Sequence, residues 1–143
     1  MPVPASTKGY PSSDTAAVLG RAKVMTFVAT AAPDRAKAFY RDVVGLRFVS
    51  DEQYALVFMT GDTMLRIQKV RDLRPQPFTA LGWEVEDIER AVDDLVGRGA
   101  VALRVDGLAQ DARGIWDSGA GKIWWFKDPD GNTLSLTEFA GSR

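Results

Sequence analysis

The stretch 126-FKDPDGNTLSL-136 decides how this chain is read. Two aspartates and a Gly-Asn pair lead into strict polar/apolar alternation. It could be a metal loop, a plain turn, or what is left of an active site. An EF-hand calcium loop needs glycine sixth and a bidentate glutamate twelfth. Counted from Asp128, Gly131 is fourth and the twelfth residue is Phe139, so the calcium reading fails. The turn reading is better supported. Pro129 presets φ, while Gly131 and Asn132 tolerate positive φ. Both flanks read as strand, which predicts a hairpin joining Lys122–Lys127 to Asn132–Phe139.

Working outward, the chain falls into two similar runs. Lys23–Thr30 reads as a strand. Pro33 suits the first turn of a helix, which Asp34 favours at its positive end. Ala36, Phe39, Tyr40 and Val43 recur at helical spacing, and Gly45 is a natural stop. Leu46–Ser50, Ala55–Thr60 and Met64–Val70 follow as strands, with Gly61-Asp62 turning between the last two. Arg71–Pro77 reads as a linker. Then the pattern restarts with strand Thr79–Val85, helix Asp87–Arg98 and strand Val101–Val105. A glycine-containing loop over about 106–121, with strand character at Gly114–Asp117, precedes the final hairpin. The order is β-α-β-β-β, twice. Superposed at an offset of about 55, the halves place Met25 over Ala80 and Arg35-Ala36 over Arg90-Ala91. The predicted class is α+β: two tandem βαβββ modules, about 22–70 and 79–139, within one domain spanning 22–143. Their curved mixed sheets form a cleft, with helices outside. Residues 1–21, rich in Pro, Ser, Thr, Gly and Ala, are expected to be a flexible tail with a short helical turn around Thr15–Leu19.

Composition narrows function mainly by exclusion. The 143 residues are 45% hydrophobic, enough for a real core. A net charge of −1 gives no electrostatic footprint for nucleic acid or an anionic membrane. No apolar run reaches the ~20 residues of a membrane span. The N-terminus lacks the apolar region of a signal peptide, and the expected location is cytoplasmic. With no cysteine there is no thiol nucleophile, disulfide framework or zinc-thiolate site. With no histidine, His-based triads, facial triads and HExxH sites are excluded. Acid–base chemistry would fall to Asp, Glu, Lys, Tyr, water or the substrate.

The duplicated unit, with 38-AFYRDVVGLRFV-49 in one half and 126-FKDPDGNTLSL-136 in the other, resembles the vicinal oxygen chelate superfamily. This group includes glyoxalases, bleomycin-resistance proteins and extradiol dioxygenases. The resemblance covers about Ala22–Phe139 and implies the paired-module fold. It does not by itself give function. It implies a homodimer, with each cleft built within one chain or from halves of two. In the metal enzymes of the group, His, Glu or Gln ligands come from the first and fourth strands of each half. Carried over by spacing, these positions are Met25, Arg66, Ala80 and Ser135. None is a plausible ligand for a hard or borderline divalent ion, and Arg66 would repel one. The expectation is no metal and no cofactor.

Strand alternation then assigns the rest of the cleft. Phe27, Met64, Gln68, Gly82, Glu84, Thr133 and Thr137 should share the face of those four positions, with one of Trp124 and Trp125 inward. The expected ligand-binding set is Met25, Phe27, Met64, Arg66, Gln68, Ala80, Gly82, Trp116, Trp124, Thr133 and Ser135. Such a lining, apolar and aromatic with a few polar groups, suits a small molecule. Arg66 would anchor an anionic group, or would be neutralised by Glu84, or would point outward to solvent. Trp83 is placed in the core under the second helix. Trp116 is read as a lid, a dimer contact or an exposed loop residue. Two functions follow. One is a metal-independent binding protein for a small hydrophobic or aromatic ligand, which could be anionic. The other is a metal-independent isomerase or lyase, with Arg66 stabilising an anion and Glu84 moving a proton.

Overall fold

The computed structural model describes residues 17–141. After a 3-10 turn at Val18–Arg21, the first module runs β1 (Met25–Thr30), α1 (Pro33–Ala38), β2 (Arg47–Asp51), β3 (Ala55–Thr60) and β4 (Thr63–Lys69). The turn overlaps the one expected around Thr15–Leu19, whose beginning lies outside the described residues. The second module runs β5 (Thr79–Glu84), α2 (Ile88–Gly97), β6 (Trp116–Asp117), β7 (Gly121–Lys127) and β8 (Thr133–Phe139). Strand orders are β1-β4-β3-β2 and β5-β8-β7-β6, the same topology twice. In each sheet the first strand runs parallel to the last and the other pairs are antiparallel. The tandem βαβββ architecture is therefore present.

Local chemistry explains the elements. Pro33 opens α1, and the helix continues into a wider π-type segment, Phe39–Val43. Gly45, at φ +83°, ends it as expected for a left-handed stop. Asp87 caps α2, its carboxylate accepting from the Arg90 N–H at 3.1 Å. Ile88, Val92 and Leu95 form the buried stripe of α2.

Each helix covers one face of its sheet, and the two covered faces share a single core. Val28, Leu65, Ile67 and Phe58 enter it from the first sheet, and Trp124, Phe126, Leu134 and Leu136 from the second. Phe39 bridges the halves, its ring 6.3 Å from that of Phe126. Trp83 packs against this core as expected, and its Nε1 donates to Thr60 Oγ1 at 3.0 Å. The other face of each sheet is left open.

One expected strand does not form. Val101–Val105 follows the outer edge of β7, but only Ala102 makes a bridge, to Phe126. Side-chain bonding displaces the ladder. Gln110 Oε1 accepts from the Val105 N–H, and its Nε2 donates to the carbonyls of Leu103 and Gly114. The fourth strand of this sheet is instead the two-residue β6. No helix among the described residues is long and apolar enough to cross a membrane.

Candidate functional site

The open face of the second sheet is built by alternation along β7 and β8. Leu134 and Leu136 enter the core, so Thr133, Ser135 and Thr137 take the other side. The antiparallel register sets Lys127 opposite Thr133, Trp125 opposite Ser135 and Ile123 opposite Thr137. From β5, Gly82 lies beside Ser135 and Glu84 beside Thr137. Trp116 pairs with Ile123, and its ring stacks on Trp125 at 6.1 Å and 26°.

This register corrects one assignment. Trp124, expected among the ligand-binding residues, points into the core and is fully buried. Its Nε1 donates to the Arg113 carbonyl at 2.9 Å, and its ring stacks on Phe126 at 5.1 Å. With Phe126 and Trp124 both turned inward, period-two alternation leaves Trp125 for the open side.

Above this face lies a groove of about 560 Å³, lined by Trp125, Lys127, Thr133 and Gly131 of the sheet and its turn, together with Leu103 and Val105. The linker Pro75-Gln76-Pro77-Phe78 forms the opposite wall. Gly131 permits that approach: at φ +90° it has no side chain, and a Cβ there would lie 3.1 Å from Pro75 Cγ. Thr133 is only 6% exposed and Ser135 8%. Among the described residues neither hydroxyl has a protein hydrogen-bond partner. A buried hydroxyl without a partner is costly, and in a groove it marks where a ligand or water would be held.

Of the expected ligand-binding residues, only Thr133 lines this groove. Ser135 lies two residues along the same face, and Trp116 stacks on its wall. Gly82 fits tightly there, since a Cβ would come within 2.6 Å of Ser135 Oγ. Ala80 is exposed at the irregularity where β5 shifts register between Thr79 and Leu81. Met25, Phe27, Met64, Arg66 and Gln68 share the open face of the first sheet, set by the Met25–Met64 and Phe27–Arg66 pairings. Phe78, Leu103, Val105 and Lys127 were not anticipated. Their sequence signal was slight, because a linker and an irregular segment carry no face periodicity.

The polar candidates divide between the modules. Arg66 Nη2 bonds Glu52 Oε1 at 3.1 Å. That hydrogen bond, followed by one from Ser50, holds the Glu52 carboxyl below its ordinary range. The counter-ion is thus Glu52 of the β2–β3 turn, and not Glu84, one of the three alternatives for Arg66. Glu84 is exposed on the second sheet, apart from Arg66 on the first.

The four positions that the family resemblance assigns to metal ligands offer a poor donor set for an ion. They offer a thioether (Met25), an ion-paired guanidinium (Arg66), a methyl group (Ala80) and one hydroxyl (Ser135). A separate trio, Asp87, Glu89 and Glu138, brings carboxylate oxygens within 4.8 Å of one another. Each of these carboxylates already holds a structural partner. Asp87 caps α2, Glu138 accepts from the Ile88 N–H, and Glu89 pairs with Lys122.

Comparisons with known proteins agree with this architecture. The fold is shared with a glyoxalase/bleomycin resistance protein/dioxygenase from Alicyclobacillus acidocaldarius: TM-score 0.63, 13% identity, covering 85% of this chain and 93% of that one. It is shared with TnmS3, an antibiotic binding protein from Streptomyces sp. CB03234: TM-score 0.62, 22% identity, 83% and 96% covered. FosX, a fosfomycin resistance protein from Listeria monocytogenes, gives 0.63 at 10% identity, with 85% and 93% covered. A comparison with curated protein sequences returns no match. The family model that matches spans residues 23–136, both modules and the linker between them, and the chain belongs to the Glyoxalase/Bleomycin resistance protein/Dioxygenase superfamily.

Proposed function

We propose that this chain is a metal-independent small-molecule-binding protein, holding a small hydrophobic or aromatic ligand in the groove between the linker and the second sheet. The observation that carries the reading is the groove itself: about 560 Å³, floored by Trp125 and by a buried Thr133 whose hydroxyl has no protein partner among the described residues. Aromatic surface with one or two placed polar groups is the composition of a ligand site. The unsuitable donors at Met25, Arg66, Ala80 and Ser135 support binding without a metal. The antibiotic-binding TnmS3 shares the fold, which supports small-molecule binding in general terms. Because Arg66 is engaged by Glu52 and Glu84 is exposed, the site geometry does not favour the isomerase or lyase reading. The proposal includes a homodimer. Its support is the edge strand β1, where Met25 is 49% and Phe27 45% exposed on the open face.

Tryptophan fluorescence and thermal melting against divalent metals, and against a panel of aromatic and hydrophobic small molecules, test the proposal. The expected result is no metal response and a saturable small-molecule response that Trp125→Ala removes. A metal-dependent rise in melting temperature, reversed by EDTA, would overturn the metal-free reading. Ligand responses indifferent to Trp125→Ala would overturn the groove.

A further inference from the structure

We propose that Lys127 and Thr133 form an anion-binding arm of this groove, and that its ligand is a planar aromatic carboxylate. The inference rests on the groove being the ligand site and specifies what that site selects. Of the described residues lining the groove, Lys127 alone carries a charged side chain, and none is a carboxylate. Six other cations are already engaged. Arg41, Arg66, Lys69, Arg98, Arg113 and Lys122 all sit in ion pairs. Lys127 has no hydrogen bond or ion pair among the described residues.

Its cross-strand partner is the buried Thr133, whose hydroxyl also has no protein partner among the described residues. Directly paired residues on one face stand about 5 Å apart, so an ammonium and a hydroxyl can converge on one carboxylate. Trp125 lies on the same face, diagonal to Thr133. That spacing, on the order of 7 Å, matches a fused aromatic ring bearing a carboxyl group. The ring would lie against Trp125, between the apolar walls given by Phe78, Leu103 and Val105. One lysine and one hydroxyl suit a monoanion. Among the described residues the lining offers no second cation for a dianion such as a phosphate monoester.

The experiment compares 2-naphthoate with its neutral isostere 2-naphthamide, by fluorescence quenching and calorimetry on the full chain. The variants are Lys127→Met, Lys127→Arg, Thr133→Val and Trp125→Ala. The unaltered protein is expected to prefer the acid about five- to tenfold, a preference that shrinks as salt is added. Lys127→Met abolishes the preference while amide affinity holds, and Lys127→Arg retains it. Thr133→Val weakens acid binding several-fold. Equal affinity for acid and amide, or a preference that survives Lys127→Met, overturns the anion arm. If Trp125→Ala still removes binding of both probes in that case, the groove reading stands. Failure of both probes to bind up to about 1 mM overturns the carboxylate assignment. The broader panel then decides the groove separately.

Discussion

The Tyr40 hydroxyl donates a 2.7 Å hydrogen bond to Asp128 Oδ2, joining the helix of the first module to the final turn of the second across 88 positions. Asp128 collects three further donors: the Asn132 amide group at 2.8 Å and the backbone N–H groups of Asp130 and Asn132 at 2.9 Å. Asp130 in turn receives the Thr30 hydroxyl and the Ala31 N–H, and Asn132 Nδ2 also donates to the Ala29 carbonyl. The aspartates of 128-DPDG-131 are thus engaged in structural hydrogen bonds. They clamp the modules together and fix where β8 begins.

Tyr40→Phe removes one donor from this buried carboxylate and should cost about 2 kcal/mol, read as a lower midpoint in urea unfolding. The pH dependence should change as well. Burial first, then the Asp128 charge and hydrogen bond, push the Tyr40 phenol far above its ordinary range. A raised pKa contributes stability that is complete below the unfolded value near pH 10 and declines as pH rises above it. The variant should therefore lose stability less steeply than the original protein above about pH 10. Parallel alkaline limbs would refute this account.

Trp124 and Trp125 should separate stability from binding. Trp124→Phe empties part of the core and frees the Arg113 carbonyl, at an expected cost of about 2–3 kcal/mol. Trp125→Ala, on the open face, should cost less than about 1 kcal/mol and abolish ligand-induced quenching. Chemical denaturation with parallel ligand titrations distinguishes the two.

Glu52 is held below its ordinary pKa by Arg66. A lowered carboxylate pKa contributes stability that is complete above the unfolded value of about 4.3 and disappears as pH falls through the folded value. Glu52→Gln should flatten the acid limb below about pH 4.3 and leave groove binding unchanged. Altered affinity in this variant would tie Arg66 to the ligand after all.

Gly131→Ala places a side chain at φ +90° and 3.1 Å from Pro75. The left-handed backbone should cost about 1–2 kcal/mol. Displacing the linker should also weaken ligand binding, whereas Gly61→Ala, with open space around it, should affect stability alone. Calorimetric titration of both variants checks the contrast.

Phe27→Glu charges the open face of edge strand β1, where the side chain is 45% exposed. Light scattering should find a dimer for the unaltered protein and a monomer for the variant, with unchanged far-UV circular dichroism. A monomeric starting protein would remove the dimer from the proposal.

Much of the fold was written in local pattern. The duplicated β-α-β-β-β order, the helix stop at Gly45, the cap at Asp87 and the hairpin at 128-DPDGN-132 follow from periodicity and turn chemistry between near neighbours. The residue types at the four positions carried over from the resemblance, Met25, Arg66, Ala80 and Ser135, were likewise legible, since they need no long-range pairing. Tertiary structure decided what depends on long-range pairing. The β7–β8 register chose Trp125 over Trp124 for the open face, and Glu52, not among the sequence-based alternatives, became the partner of Arg66. Gln110 replaced the ladder of Val101–Val105 with side-chain bonds. The linker joined Lys127 and Thr133 in one groove by crossing Gly131, a contact between segments more than fifty residues apart that no periodicity encodes.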